Sequence, residues 1–241
     1  MTRRPLTATA VPLLAASLLG LAGCASTVDG SASSADGGAG GGARGSSGAG
    51  TVACDWSAAP SANPYLIEVP PPAEEVPAEG RVGLRLVTDA GEIPLTLARD
   101  GAPCAVASLV HLTGQGFFDG SPCHRQTDTE GLQVLQCGDP TGTGAGGPTY
   151  TSPTDVSGDE TYPRGTVAMA NSGQGFDGSQ FFLVWGDSRL PPAYTVVGTV
   201  DDAGLAVLDA IAASGNDGSN GPGDGAPAVP VTVESVSVGA G

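Results

Sequence analysis

The chain has 241 residues and a formal net charge of −16, with 25 acidic residues against nine arginines and no lysine. Such a surface repels nucleic acid and anionic lipid, because phosphate binding needs basic patches; its acidity suits solubility. The length accommodates one domain with a real core plus additional segments.

Residues 1–23 read as a signal peptide. Arg3 and Arg4 precede a short apolar run, Val11 to Leu19, and small residues follow. The run is too short to span a bilayer. The tetrapeptide "LAGC", Leu21 to Cys24, resembles the bacterial lipobox. That resemblance implies a Cys24 that is lipidated and becomes the mature N-terminus. One acyl chain holds a protein only marginally and two or more hold it stably, so multiple acylation is implied. The expected location is extracytoplasmic, anchored to the outer face of the cytoplasmic membrane.

Residues 24–53 form a Gly/Ser/Ala-rich tether, a flexible coil spanning roughly 30 Å. Residues 54–80 differ: Trp56, Tyr65, Leu66 and Ile67 stand among many prolines. They read as an extended arm packed on the domain that occupies residues 81–241. Four cysteines follow Cys24, namely Cys54, Cys104, Cys123 and Cys137. In an exported chain an even number implies disulfides, and three pairings are possible. With no C-x-x-C pair and only His111 and His124 as imidazoles, no metal site is expected.

The globular pattern starts at "RVGLRLVT", where Val82, Leu84 and Leu86 alternate with polar residues as in a strand. "DAG" turns the chain back into "EIPLTLA", an antiparallel hairpin. Pro103 opens a helix carrying Val106, Leu109, Val110 and Thr113 at helical spacing. Short strands follow at "SPCHRQ", "LQVLQC", "GTVAMA", "SQFFLVW" and "YTVVGTV". A second helix, "GLAVLDAIAAS", presents Leu205, Leu208 and Ile211, and "VPVTVESVSV" is a last strand. Eight strands and two helices predict a mainly β fold, an antiparallel barrel capped by helices.

Within "GDPTGTGAGGP", Gly142, Gly144 and Gly147 satisfy a G-x-G-x-x-G pattern. A dinucleotide fingerprint must open a helix. Here Pro148 and the run to Pro153 favour turn and extended chain. No cofactor is therefore expected, and the loop needs another role.

Three segments carry that role: "CHRQTDTEGLQVLQCGDPTGTGAGGP", "GTVAMANSGQGFDGSQFFLVW" and "RLPPAYTVVGTV". Together they resemble the cyclophilin-type peptidyl-prolyl isomerases over residues 81–238. The resemblance implies an eight-stranded antiparallel barrel capped by two helices and catalysis of X–Pro isomerisation. The partners implied are proline-containing peptides or unfolded exported proteins, met by a monomer. It also places "GDPTGTGAGGP" as the glycine loop at the barrel rim.

The chemistry asks for little. A peptide C–N bond has a rotational barrier of about 18–20 kcal/mol, so X–Pro bonds isomerise unaided over tens to hundreds of seconds. The twisted amide has a pyramidal nitrogen, and a donor aimed at it stabilises that state above the planar one. A fixed cation, an apolar slot and polar groups to hold the peptide suffice. By resemblance, Arg125 is the catalytic cation and Gln136 orients it. His124, Met169, Ala170, Asn171 and Gln180 are substrate contacts, with Phe182 as the floor, Leu190 as a wall and Tyr194 as a rim of the proline slot.

The chain departs from the pattern in several places, one being Tyr194, which stands where many members have histidine and still supplies a ring face and a hydroxyl. The Arg125–Gln136 interval holds about three more residues than short family members have. A Phe-Met pair that lines the slot there corresponds to Gln133 and Val134, unless Leu132 turns inward instead. A glutamine in an apolar slot would weaken proline binding and would favour a catalytically weak peptide-binding module or chaperone. Arg189 replaces the tryptophan associated with tight cyclosporin binding, which implies a weak complex. An acyl hydrolase built on Ser179 is excluded, since "FDGSQ" is not a G-x-S-x-G elbow.

Overall fold

A computed structural model describes residues 50–60 and 62–239. The signal peptide, Cys24 and all but the last residues of the tether lie outside them. The N-terminal arm contributes four short strands, β1 (Thr51–Ala53), β2 (Ser57–Ala58), β3 (Leu66–Ile67) and β4 (Glu75–Pro77). The domain then runs β5 (Arg81–Thr88), β6 (Gly91–Ala98), α1 (Pro103–Gly114), β7 (Ser121–Pro122), β8 (Arg125–Thr127), β9 (Val134–Cys137), β10 (Gly147–Pro148) and β11 (Tyr150–Pro153). It ends with β12 (Thr166–Asn171), β13 (Phe176–Val184), β14 (Val196–Val200), α2 (Asp202–Ala213), β15 (Asp224–Gly225) and β16 (Thr232–Val238).

The first hairpin follows from its sequence. β5 and β6 pair along all eight residues, from Arg81↔Ala98 to Thr88↔Gly91, across a two-residue Asp89-Ala90 loop. Gly91 has φ +135°, which a side chain rarely adopts. The alternating Val82, Leu84, Leu86, Ile93, Leu95 and Leu97 all point inward and are buried.

The main sheet has the order β15-β8-β9-β13-β12-β14-β6-β5-β16-β7. β7 and β8 are halves of one extended segment, residues 121–127. That segment pairs with β16 through Ser121 and Pro122 and with β9 through Arg125 and Gln126. The sheet therefore curls round until both ends meet in the same stretch of chain. Eight segments make the circuit, the eight read from the sequence.

Inside lies one apolar core. It includes Leu86, Ile93, Leu97, Val106, Leu112, Phe118 and Leu183. Phe118 stands edge-on to Phe181, with ring centroids 5.9 Å apart. α1 buries Val106, Leu109 and Leu112, and α2 buries Gly204, Leu208 and Ile211. A Cβ on Gly204 would lie 2.9 Å from Ile93 Cγ2, so only glycine lets α2 sit this close to β6.

The arm is pinned at several points. β2 pairs with β11, and β3 runs parallel to β10. Val69 and Val76 are buried, and Trp56 stands edge-on to Tyr150. Cys54 pairs with Cys104 at the start of α1, and Cys123 pairs with Cys137 between neighbouring strands. Helix residue His111 meets the arm through Nε2 and the Pro70 carbonyl, 2.9 Å apart.

Candidate active site

Sheet register brings the key residues into one row. Arg125 on β8 lies opposite Gln136 on β9, and Gln136 lies opposite Phe182 on β13. Phe182 lies opposite Ala168 on β12, which lies opposite Val196 on β14. Directly paired residues share a face of an antiparallel sheet. The row therefore passes from a cation, through an amide, to an aromatic ring.

The apolar end is a small cluster separate from the barrel core. Phe182, Tyr162, Ala168, Val134 and Val184 are its buried members, with Leu132, Leu190 and Tyr194 among those packed around them. The Phe182 and Tyr194 rings meet edge to face, centroids 5.4 Å apart. Tyr162 braces both. Its hydroxyl donates to the Tyr194 carbonyl and accepts the Tyr194 amide, each at 3.0 Å.

The polar end is a chain of hydrogen bonds. Arg125 Nε and Nη2 donate to the two carboxylate oxygens of Asp224 at 2.8 and 2.6 Å. Arg125 Nη1 donates to Gln136 Oε1 at 3.4 Å. Gln136 Nε2 donates to Gln180 Oε1 at 2.8 Å. Gln180 Nε2 donates to the carbonyls of Gly144 and Gly146, both at 3.0 Å. The hydrogen bond to Asp224 is the main cause holding the Arg125 pKa above its ordinary value, and the same bond holds Asp224 below the usual carboxylate range.

The glycine loop closes the chain. Its amides converge on a protein carboxylate. Asp139 is fully buried and accepts from the amides of Thr141, Gly144 and Gly146 at 2.8, 2.7 and 3.0 Å. It also accepts from the Thr141 hydroxyl at 2.7 Å. Burial alone would raise the Asp139 pKa, but these bonds outweigh it and hold the carboxyl below 3.8. A Cβ on Gly146 would overlap Asp139 Oδ1 and lie 2.7 Å from Thr141 Oγ1, so the loop needs glycine at this position, outside the three of the pattern, to admit the carboxylate.

Other residues named from the sequence fall elsewhere. Met169 is 0 % exposed and belongs to the barrel core, on the face opposite Ala168 and Ala170, so no peptide touches its side chain. Both His124 ring nitrogens are buried, and Gly144 lies over the ring. The residue as a whole is only partly buried, and burial pushes the His124 pKa below its ordinary value against the pull of Asp139. The Asn171 side chain ties neighbouring backbone together: Nδ2 donates to Ala193 O at 3.0 Å, and Oδ1 accepts from Gly173 N at 3.0 Å.

Gln133 does not enter the slot. Val134 and Leu132 face the aromatic cluster, because they share strand parity with Gln136. Gln133 points the other way and lies over Gly186, where any Cβ would overlap its amide. Three site residues escaped sequence reading: Tyr162, Asp139 and Asp224. Asp139 sits in the quoted loop motif and could have been found as its anion. Asp224 lies 99 positions from Arg125 and carries no local signal.

Beside the slot opens a cleft of about 520 Å³. Gln136, Ala170, Asn171 and Gln180 form its near wall, and arm residues Ser57–Pro60, Asn63 and Leu66 form its far one.

The comparisons with known proteins bear on this arrangement. Residues 84–238 match the family model described as cyclophilin type peptidyl-prolyl cis-trans isomerase/CLD. The chain belongs to the cyclophilin family. A probable peptidyl-prolyl cis-trans isomerase B of Mycobacterium leprae is 47 % identical over 191 residues, covering 73 % of this chain and 64 % of that protein. One of Mycobacterium tuberculosis is 46 % identical over 179 residues, covering 69 % and 58 %. The chain thus spans about three fifths of the length of these relatives. A crystal structure of a Cryptosporidium parvum cyclophilin type peptidyl-prolyl cis-trans isomerase superposes with TM-score 0.56 at 25 % identity, covering 67 % of this chain and 99 % of that one. The cyclophilin domain here is mainly β, a curled antiparallel sheet with two helices, as that likeness requires.

Proposed function

We propose that this cyclophilin accelerates cis-trans isomerisation of X–Pro bonds, with Arg125 as the donor to the twisting prolyl nitrogen. The observation that carries the reading is the row Arg125–Gln136–Phe182. It sets a charged donor beside an apolar ring slot on one face of a rigid sheet. The prolyl ring packs on Phe182 and Tyr194 against Leu132 and Leu190, while Gln136 orients Arg125 and Gln180 contacts the peptide. Arg125 is held before substrate arrives, so little reorganisation accompanies the reaction.

The non-catalytic alternative rested on Gln133 lining the slot, and Gln133 lies over Gly186 instead. The test is exchange NMR on an Ala-Pro peptide with the full chain and with Arg125→Ala. We expect a rate gain that falls by about 10²–10³, the usual loss for one such donor, while the circular dichroism spectrum is unchanged. A folded wild type without rate gain, or a fully active variant, would refute the reading.

The reading extends to place. An exported protein, anchored through acylated Cys24 and acting as a monomer on exported polypeptides, suits the lipobox-like "LAGC". The pairs Cys54–Cys104 and Cys123–Cys137 suit an oxidising compartment. Cys24→Ala should move the protein from the membrane fraction to the soluble one; unchanged fractionation would remove the anchor.

A further inference from the structure

We infer that Asp224 is a positioning residue: its carboxylate clamps one edge of the Arg125 guanidinium and turns the remaining Nη1 edge toward the prolyl nitrogen. The inference rests on the catalytic reading of Arg125 given above.

A guanidinium carries five N–H donors in a planar fork. Two donors from the Nε/Nη2 edge go to Asp224, in the bidentate geometry that fixes both position and plane. Gln136 receives one donor from Nη1 at the long distance of 3.4 Å, which leaves Nη1 free to take a better acceptor. The pair is not sealed off: the two side chains are 32 % and 24 % exposed. Without the clamp, the long arginine stem would sample many rotamers in water.

The clamp is itself built. Residues 215–227 form a compact loop between α2 and β16, and its β15 adds an edge strand to β8 through Asp224↔Thr127 and Gly225↔Gln126. Arg125 thus faces a carboxylate delivered by backbone pairing. Asn220 Nδ2 donates to Asp224 Oδ1 at 3.1 Å, and Asp128 N donates to Gly223 O at 2.9 Å. Asp217 Oδ1 accepts from the amides of Ser219 and Ala226, both at 2.9 Å, and staples the loop neck. Gly223 has φ +74°, and a Cβ there would lie 2.5 Å from Asp128 Oδ1, so the approach to β8 depends on glycine.

A carboxylate beside a catalytic cation could instead act as a brake by neutralising it. The geometry favours positioning. The carboxylate occupies the edge away from Gln136, and the guanidinium keeps its charge, because an arginine side chain stays protonated throughout the range in which proteins work. Nothing in the clamp covers Nη1.

The test compares the full chain with Asp224→Asn, Asp224→Ala and Asp224→Glu. Exchange NMR on the Ala-Pro peptide gives kcat and KM, and the ¹⁵Nε–¹Hε resonance of Arg125 reports the clamp directly. Asn and Ala should lower kcat about 10- to 100-fold, the scale of a misplacement near 1 Å, with KM changed less than threefold. The Arg125 Nε–H resonance should be resolved and slowly exchanging in wild type and lost to fast exchange in both variants. Glu should recover part of kcat and of the resonance, which mere loop damage would not allow. Unchanged or raised kcat in Asp224→Asn would overturn the inference, as would an Arg125 Nε–H resonance indifferent to the substitution. A wild type with no rate gain but a protected Nε–H lost in Asp224→Asn would keep the clamp and sink the catalytic reading instead.

Discussion

Replacing Asp139 by asparagine should unfold the glycine loop before anything else. The buried carboxylate accepts three backbone amides and two hydroxyls, a short bond from Thr141 and a long one from Thr143. An asparagine must set an NH2 against one set of these donors. Turned toward Oδ2, it opposes the amides of Gly144 and Gly146, and neither can rotate away. Turned toward Oδ1, it opposes the amide of Thr141, whose hydroxyl can swing round to accept. The second orientation is cheaper, and it orphans one buried N–H at about 1–3 kcal/mol. The bonds that survive lose their charge assistance, roughly half their strength. The sum is about 3 kcal/mol. For a domain of this size each kcal/mol lowers Tm by about 2–4 °C, so calorimetry should show a drop of about 6–12 °C. Acid adds a second arm. The folded Asp139 carboxyl lies below its ordinary 3.8. Its stabilisation is therefore complete above that value and is lost as pH falls through the lower, folded one. The gap between wild type and Asp139→Asn should narrow below about pH 4. A Tm within about 2 °C of wild type at neutral pH would refute the reasoning that the loop's amides need a charged acceptor.

Two further outcomes follow from residues that break the sequence pattern. Gln133→Phe should not tighten peptide binding, because residue 133 lies over Gly186 and outside the slot; a Kd at least fivefold lower by peptide titration would return it to the site. Gln126 is fully buried on the core side of β8, and neither of its amide atoms meets a partner among the described residues. Gln126→Met, of similar shape, should raise stability by about 1–3 kcal/mol in urea unfolding, and a fall would show that the amide is satisfied in solution.

The barrel was legible because its strands are written in alternation. Val82, Leu84 and Leu86 announce a face whatever they pair with, and α1 begins at Pro103 as the helix rules require. The site was legible in part through the same parity. Arg125, Gln136, Gln180 and Phe182 were placed by resemblance, and register brings them together. The extra residues between Arg125 and Gln136 hid the parity of the preceding positions. Counting back from Gln136 in twos gives Val134 and Leu132, and that count is secure only once β9 is known to pair with β13 from Val134 to Cys137 without a bulge. Short strands such as β2 and β3 left no trace, since two residues hold no period and their partners lie some 80 to 90 positions away. Asp224 was invisible for the same reason: a Gly- and Asn-rich loop reads as a turn, and only the folded chain shows what it turns toward.

The two glutamines of the site have a fixed sense. Side-chain amides can usually point either way round, since oxygen and nitrogen ends are nearly equal in size. Here Arg125 can only give hydrogens, and the carbonyls of Gly144 and Gly146 can only receive them. Between a terminus that only gives and one that only receives, Gln136 and Gln180 admit one arrangement and no mirror image of it. Turning either glutamine over would set like against like at both of its ends. The row thus has no orientational degeneracy to lose when a peptide arrives.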